Sequence, residues 1–114
     1  MSVEAKIRAQ IATHPVLLYL KGTPQFPQCG FSAQVAHLLE LCGAQFAYVN
    51  ILENPDMRAT LPKIANWPTF PQLYIQGDLV GGCDITTEAY ENGELLPWLQ
   101  AAGAVGEKSK AVPA

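Results

Sequence analysis

The sequence predicts an α/β fold: a small mixed sheet of four strands, flanked by helices on both faces. Three observations predict it. Segments with helical spacing and segments of strand length follow one another as α-β-α-β-α-β-β-α. The first two strands are joined through a helix, as in a βαβ crossover, and the last two through a tight turn, as in a hairpin. The chain has 114 residues, 49% of them hydrophobic and 15% charged, which suits one core and one domain.

Taken in order, Val3, Ile7 and Ile11 stand at helical spacing behind Ser2, a residue suited to the N-cap, and predict a helix to Thr13 with His14 at its end. Val16–Leu20 is a continuous apolar run of strand length, the pattern of a strand buried on both faces. Residues 21–28 hold one glycine and two prolines and read as a loop. Phe31, Val35, Leu38, Leu39 and Cys42 form the apolar stripe of a second helix from Gly30, with Gly43 closing it. Phe46–Ile51 is a second strand. Asn54-Pro55-Asp56 then supplies an N-cap, a proline at the first helical position and an acid in the first turn of a helix to Ala65. Trp67-Pro68-Thr69-Phe70-Pro71 cannot continue it. Gln72–Gln76 and Leu79–Val80 flank Gly77-Asp78 as a hairpin, and Ile85–Ala102 is helical with a break near Gly93. The domain is expected over residues 1–103, with 104–114 a small, polar, disordered tail.

Composition excludes several classes. Seven basic residues are scattered under a net charge of −3, so nucleic acid is not an expected partner. The apolar runs are too short to span a bilayer, and no basic-then-apolar leader opens the chain, so no membrane partner and a cytoplasmic location are expected. Three cysteines, at 29, 42 and 83, do not form a disulfide framework. His14 and His37 fall in different elements, which leaves no zinc-ligand spacing.

Chemistry concentrates at Cys29. It directly precedes a helix, whose unpaired N–H groups favour a thiolate, and Lys21 ends the preceding strand where its charge adds to the effect. A small buried cysteine is the structural alternative, but Gln28 and Gly30 around it make a poor core site. Cys42 lies on the apolar stripe and reads as core.

Lys21-Gly22-Thr23, Pro27-Gln28-Cys29-Gly30-Phe31-Ser32, Trp67-Pro68-Thr69-Phe70-Pro71-Gln72-Leu73 and Gly81-Gly82-Cys83-Asp84 together resemble the CGFS-type monothiol glutaredoxins, in their short single-domain bacterial form. The likeness runs from about Ile7 to Ala102. It implies a thioredoxin-like fold. It also implies that Ser32 stands where dithiol relatives carry a second cysteine, so no neighbouring thiol resolves a mixed disulfide at Cys29. The further implication is a homodimer in which Cys29 of each chain and two glutathione thiols ligate one [2Fe–2S] cluster, a carrier for apo iron–sulfur proteins with a BolA-type protein as mixed partner.

The remaining blocks are similar to the family's glutathione cradle. Lys21 and Arg58 are placed for the glycine-end carboxylate, the Phe70 backbone before a cis Pro71 for the peptide, and the Cys83 and Asp84 N–H groups for the γ-glutamyl carboxylate. The Asp84 carboxylate faces the ligand's ammonium in this scheme. Plainer readings stand beside each: solvated charges at Lys21 and Arg58, an N-cap at Asp84, a trans turn proline at Pro71 and packing at Trp67. Cys83 is a conditional resolving thiol. The alternative function is a glutathione-dependent oxidoreductase that removes glutathione from protein thiols through Cys29. An iron-sensing adaptor would use the same residues.

Overall fold

Ser2 opens the first helix as its residue type implies, its Oγ accepting a hydrogen bond from the Ala5 N–H at 3.1 Å. The computed structural model describes residues 2–105 and 111–114. Its elements are α1 (Val3–Thr13), β1 (Val16–Leu20), α2 (Gly30–Leu41), β2 (Phe46–Asn50), α3 (Pro55–Ala65), β3 (Gln72–Ile75), β4 (Asp78–Gly81), α4 (Cys83–Glu91), α5 (Leu95–Ala101) and β5 (Ala111–Pro113). The sheet runs β4-β3-β1-β2-β5. Parallel pairing joins β1 to β2, and antiparallel pairing joins β1 to β3 and β3 to β4.

All five residues of β1 are buried, because a central strand covered by helices meets no water on either face. Its side chains alternate between two cores. Leu18 and Leu20 join Val35, Leu39, Leu73, Leu95 and Leu99 on the α2, α4 and α5 side. Leu17 and Tyr19 join Ile7, Ile51, Met57 and Leu61 on the α1 and α3 side. Among the described residues no helix is long and apolar enough to cross a membrane.

Several details differ from the sequence reading. The sheet has five strands, not four: residues 111–113, assigned to a disordered tail, lie parallel to β2, with Phe46 opposite Ala111. Ala104 is buried, and its carbonyl accepts from the Gln45 N–H at 2.6 Å. Residues 106–110 of that expected tail lie outside the described residues. Phe31 does not belong to the α2 stripe. It is 63% exposed, while Ser32 beside it is fully buried. Asn54 occupies the N-cap position of α3 without capping it, its Nδ2 donating instead to the Asn50 carbonyl at 2.9 Å. The hairpin turn is Gln76-Gly77, one residue earlier than expected, with φ +51° and +84° in the left-handed region that such two-residue turns require. The N-cap of α4 is Gly82, so Asp84 sits inside the first turn, not at the cap.

Candidate functional site

The loop from Lys21 to Gln28 delivers Cys29. It folds back on itself through a Gly22–Pro27 bridge, a Gln28 N–H donating to the Lys21 carbonyl (2.9 Å) and a turn closed between Thr23 and Phe26. Gly22 has φ +97°, and a Cβ there would stand 2.6 Å from the Phe26 carbonyl oxygen and 2.8 Å from the Gln28 nitrogen. Only glycine fits this turn. Asn50 at the end of β2 locks it by accepting the Gly22 N–H at 3.0 Å.

Cys29 is the N-cap residue of α2, with extended backbone (φ −153°, ψ 136°) and its thiol partly exposed. Its pKa lies below the ordinary thiol value. The Ser32 N–H is the main cause; desolvation opposes it, and the Phe31 N–H, the Ser32 hydroxyl and the Lys21 charge add to the lowering. These N–H groups belong to the first turn of the helix, where they have no intrahelical acceptor. The Ser32 Oγ also accepts the Lys21 N–H at 3.1 Å, which ties the loop to the helix beneath the thiol.

The opposite wall is the stretch Trp67–Pro71, in which the Phe70–Pro71 bond is cis. Gln72, fully buried, holds it in place: its Nε2 donates to the carbonyls of Trp67 (3.0 Å) and Thr69 (3.4 Å). The Tyr74 hydroxyl donates to Gln72 Oε1 at 3.0 Å and fixes the amide's orientation. Tyr74 in turn meets Tyr19 edge to face, ring centres 5.8 Å apart. Among the described residues the Phe70 N–H and carbonyl have no hydrogen-bond partner. At Gly82 a Cβ would come within 3.2 Å of the Pro71 oxygen and 3.5 Å of Trp67 Nε1, so the start of α4 lies close against this wall.

Between these walls lies an open cleft of about 660 Å³. Lys21, Cys29, Arg58, Phe70, Cys83 and Asp84, scattered over 64 positions of the chain, all line it. The fold therefore brings these six together. Among the described residues Lys21, Arg58 and Asp84 form no ion pair; the pair Glu4–Arg8, at 3.0 Å, is on the exposed face of α1. The cleft thus offers two cations, one acid and the first-turn N–H groups of two helices, a set suited to a small zwitterion with carboxylates at its ends. Cys83 packs beside Thr87, sulfur to Oγ1 3.9 Å. Cys42, as expected, packs against the core, and burial raises its pKa. Among the described residues no three His, Cys, Asp or Glu side chains converge on a metal position. Toward a metal group this chain alone presents a single activated thiolate.

Sequence reasoning missed Gln72, Pro62 and Ile85. Pro62 and Ile85 line the cleft, and Gln72 supports its wall. A lone amide inside a run of buried strand residues is the signal that marks Gln72.

The Glutaredoxin family model matches residues 16–80. The chain is 60% identical over 99 residues to Glutaredoxin 4 of Escherichia coli strain K12, covering 87% of this chain and 86% of that protein. It superposes on reduced apo GrxS14 of poplar with a TM-score of 0.77 at 47% identity, over 90% of this chain and 94% of the poplar chain. A buckwheat glutaredoxin in complex with glutathione shares the fold, with a TM-score of 0.81 at 24% identity over 91% of this chain and 93% of the other. A thioredoxin-like sheet, a cysteine at a helix start opposite a cis-proline wall, and these likenesses converge: the chain belongs to the glutaredoxin family and, with Cys29-Gly30-Phe31-Ser32, to its CGFS type.

Proposed function

We propose that two copies of this chain, each with a glutathione in its cleft, hold one [2Fe–2S] cluster as cargo and pass it to apo iron–sulfur proteins in the cytoplasm. One observation carries the reading: the chain presents one activated thiolate, and its C-x-x-S partner cannot become a second. Ser32 is buried and occupied by the Lys21 N–H. A [2Fe–2S] cluster takes four ligands, and two Cys29 thiolates with two glutathione thiols supply that number. Cargo held partly by non-covalent ligands leaves readily, as a carrier requires.

In this reading Lys21 and Arg58 hold the glycine-end carboxylate through charge-assisted hydrogen bonds. The Phe70 backbone pairs with the peptide of glutathione as an added strand would. The Cys83 and Asp84 N–H groups take the γ-glutamyl carboxylate at the start of α4, and the Asp84 carboxylate takes its ammonium. A BolA-type protein replaces the second chain in a mixed complex. The buckwheat glutaredoxin–glutathione complex, built on the same fold, supports the choice of ligand.

The lowered Cys29 pKa favours a second reading, a glutathione-dependent oxidoreductase. There the Cys29 thiolate attacks the glutathione sulfur of a mixed disulfide and the protein thiolate leaves. A second glutathione thiolate then attacks the glutathionylated Cys29, releasing glutathione disulfide. Anaerobic reconstitution with iron, sulfide and glutathione, read by visible absorption and size exclusion, separates the two. A coloured dimer that forms only with glutathione, and not in Cys29→Ser, is the expected result. Colourless monomer with and without glutathione removes the carrier reading and leaves the oxidoreductase.

A further inference from the structure

On the side of the sheet edge formed by β4, a second groove of about 400 Å³ lies between the β3–β4 hairpin and the helices α4 and α5. Leu79 and Val80 of the hairpin, Ile85 of α4 and Trp98 of α5 line it, and Asp78 stands among them. Ile85 also lines the Cys29 cleft, so the two depressions adjoin. In the groove Ile85 and Trp98 are 40% and 38% exposed, and the same two short helices expose Tyr90 and Leu96 to a like extent.

Charge adds a second, independent observation. From residue 64 to residue 106 the chain carries five acids, Asp78, Asp84, Glu88, Glu91 and Glu94, and no lysine, arginine or histidine. All five are exposed. Among the described residues β4 pairs with no strand on its outer side, so its outward backbone groups are open to another chain.

We propose that this groove docks an extended segment of a partner protein in which basic residues alternate with aliphatic ones. Alternation follows from strand geometry, since a segment laid along β4 turns successive side chains to opposite faces. Its aliphatic side chains enter the groove against Trp98 and Ile85. Its lysines or arginines, set between them on the other face, reach with their long stems around the open edge to the acids that flank the groove. Asp78 lines it, Glu88 stands one turn along α4 from Ile85 and Glu94 one turn before Trp98, an arrangement that selects against acidic segments. The inference does not depend on what the Cys29 cleft carries.

The test uses the full chain, isotope-labelled, titrated with the peptide acetyl-Lys-Val-Lys-Leu-Lys-Val-Lys-amide and followed by amide and indole NMR signals. The expected result is saturable change at residues 78–81, Ile85 and the Trp98 indole, weakened by added salt and absent for a peptide with glutamate in place of each lysine. Trp98→Ala weakens binding about ten-fold, as removal of an aromatic anchor does. The double variant Glu88→Gln/Glu94→Gln leaves the apolar groove whole and flattens the salt dependence. No binding, changes confined to the Cys29 cleft, or self-association of the chain through these same residues without peptide would each overturn the proposal.

Discussion

Cys29 and Cys42 stand at opposite ends of one helix and have opposite chemistry. At the N-terminal end the N–H groups of Ser32 and Phe31 face the sulfur and lower its pKa. At the other end Cys42 caps the helix among Leu38, Leu39 and the other residues of the larger core, and burial raises its pKa. The ends are also built differently. A loop of eight residues knotted around Gly22 holds the first. The second closes with the two bonds of a Schellman motif, Ala44 N–H to the Leu39 carbonyl (3.0 Å) and Gly43 N–H to the Glu40 carbonyl (2.9 Å). Thiolate character is thus a property of position along the helix, and the same residue type is less readily ionised thirteen positions later.

The largest effect expected from breaking this contrast is at the sulfur itself. Cys29→Ser should abolish both cluster binding and glutathione-dependent turnover, whereas Cys42→Ser should leave both intact; equal losses in the two variants would refute the contrast. The next probe compares the two glycines. Gly22→Ala drives a Cβ into backbone atoms at a positive φ and should cost roughly 2–3 kcal/mol or more. Gly43→Ala, at φ +69° in a cap, should cost about 1 kcal/mol. Urea unfolding of both variants measures the difference, and a larger loss at Gly43 would contradict it.

Ser32→Ala removes the acceptor of the Lys21 N–H and should destabilise the fold by about 1–3 kcal/mol, the range for a buried polar group left unpaired. It should also move the Cys29 pKa upward, since the hydroxyl helps lower it. Unchanged unfolding together with an unchanged thiol titration would show that Ser32 supports neither. The smallest effect is in pH dependence. A lowered pKa leaves more thiolate at a given pH, so alkylation of Cys29 should accelerate at lower pH than that of a free thiol, and alkylation of Cys42 at higher pH. By linkage, Cys29's contribution to stability is present above its unfolded pKa and lost as pH falls through its folded one. Mass spectrometry after timed alkylation across neutral pH reads the two midpoints; a reversed order would overturn the assignment.

Much of this architecture was legible in the sequence because it rests on local patterns. β1 declared itself as a double-sided apolar run, and the Gly30–Cys42 stripe located the reactive cysteine at a helix start. Cys29 and Lys21 followed from their places at a helix start and a strand end, while Phe70, Cys83 and Asp84 were found through short motifs and Arg58 through the likeness those motifs carry, which no periodicity would have supplied. Phe31 was misplaced because the stripe counts apolar residues and not their burial: at the second helical position Phe31 turns outward beside the cleft, and Ser32 turns in. Gln72 stood in a quoted motif but its role escaped, because two of its three partners are backbone carbonyls of a neighbouring loop and only its burial in the strand marks it. The fifth strand escaped because Ala111-Val112-Pro113 carries little strand signal of its own; β2, 65 residues earlier, gives it its partner.

The two margins of the sheet therefore differ in what they permit. Along β2 residues 111–113 fill the place a neighbour would take, which makes β5 the edge on that side, reinforced by the Ala114 N–H donating to the Tyr48 carbonyl at 2.9 Å. Along β4 nothing among the described residues does. As an edge strand β5 offers three residues, one of them Pro113, which has no N–H to donate, whereas β4 offers four with every donor intact. A further strand finds the fuller ladder beside β4, which makes that margin the better place for recognition and the other a poor one for growth.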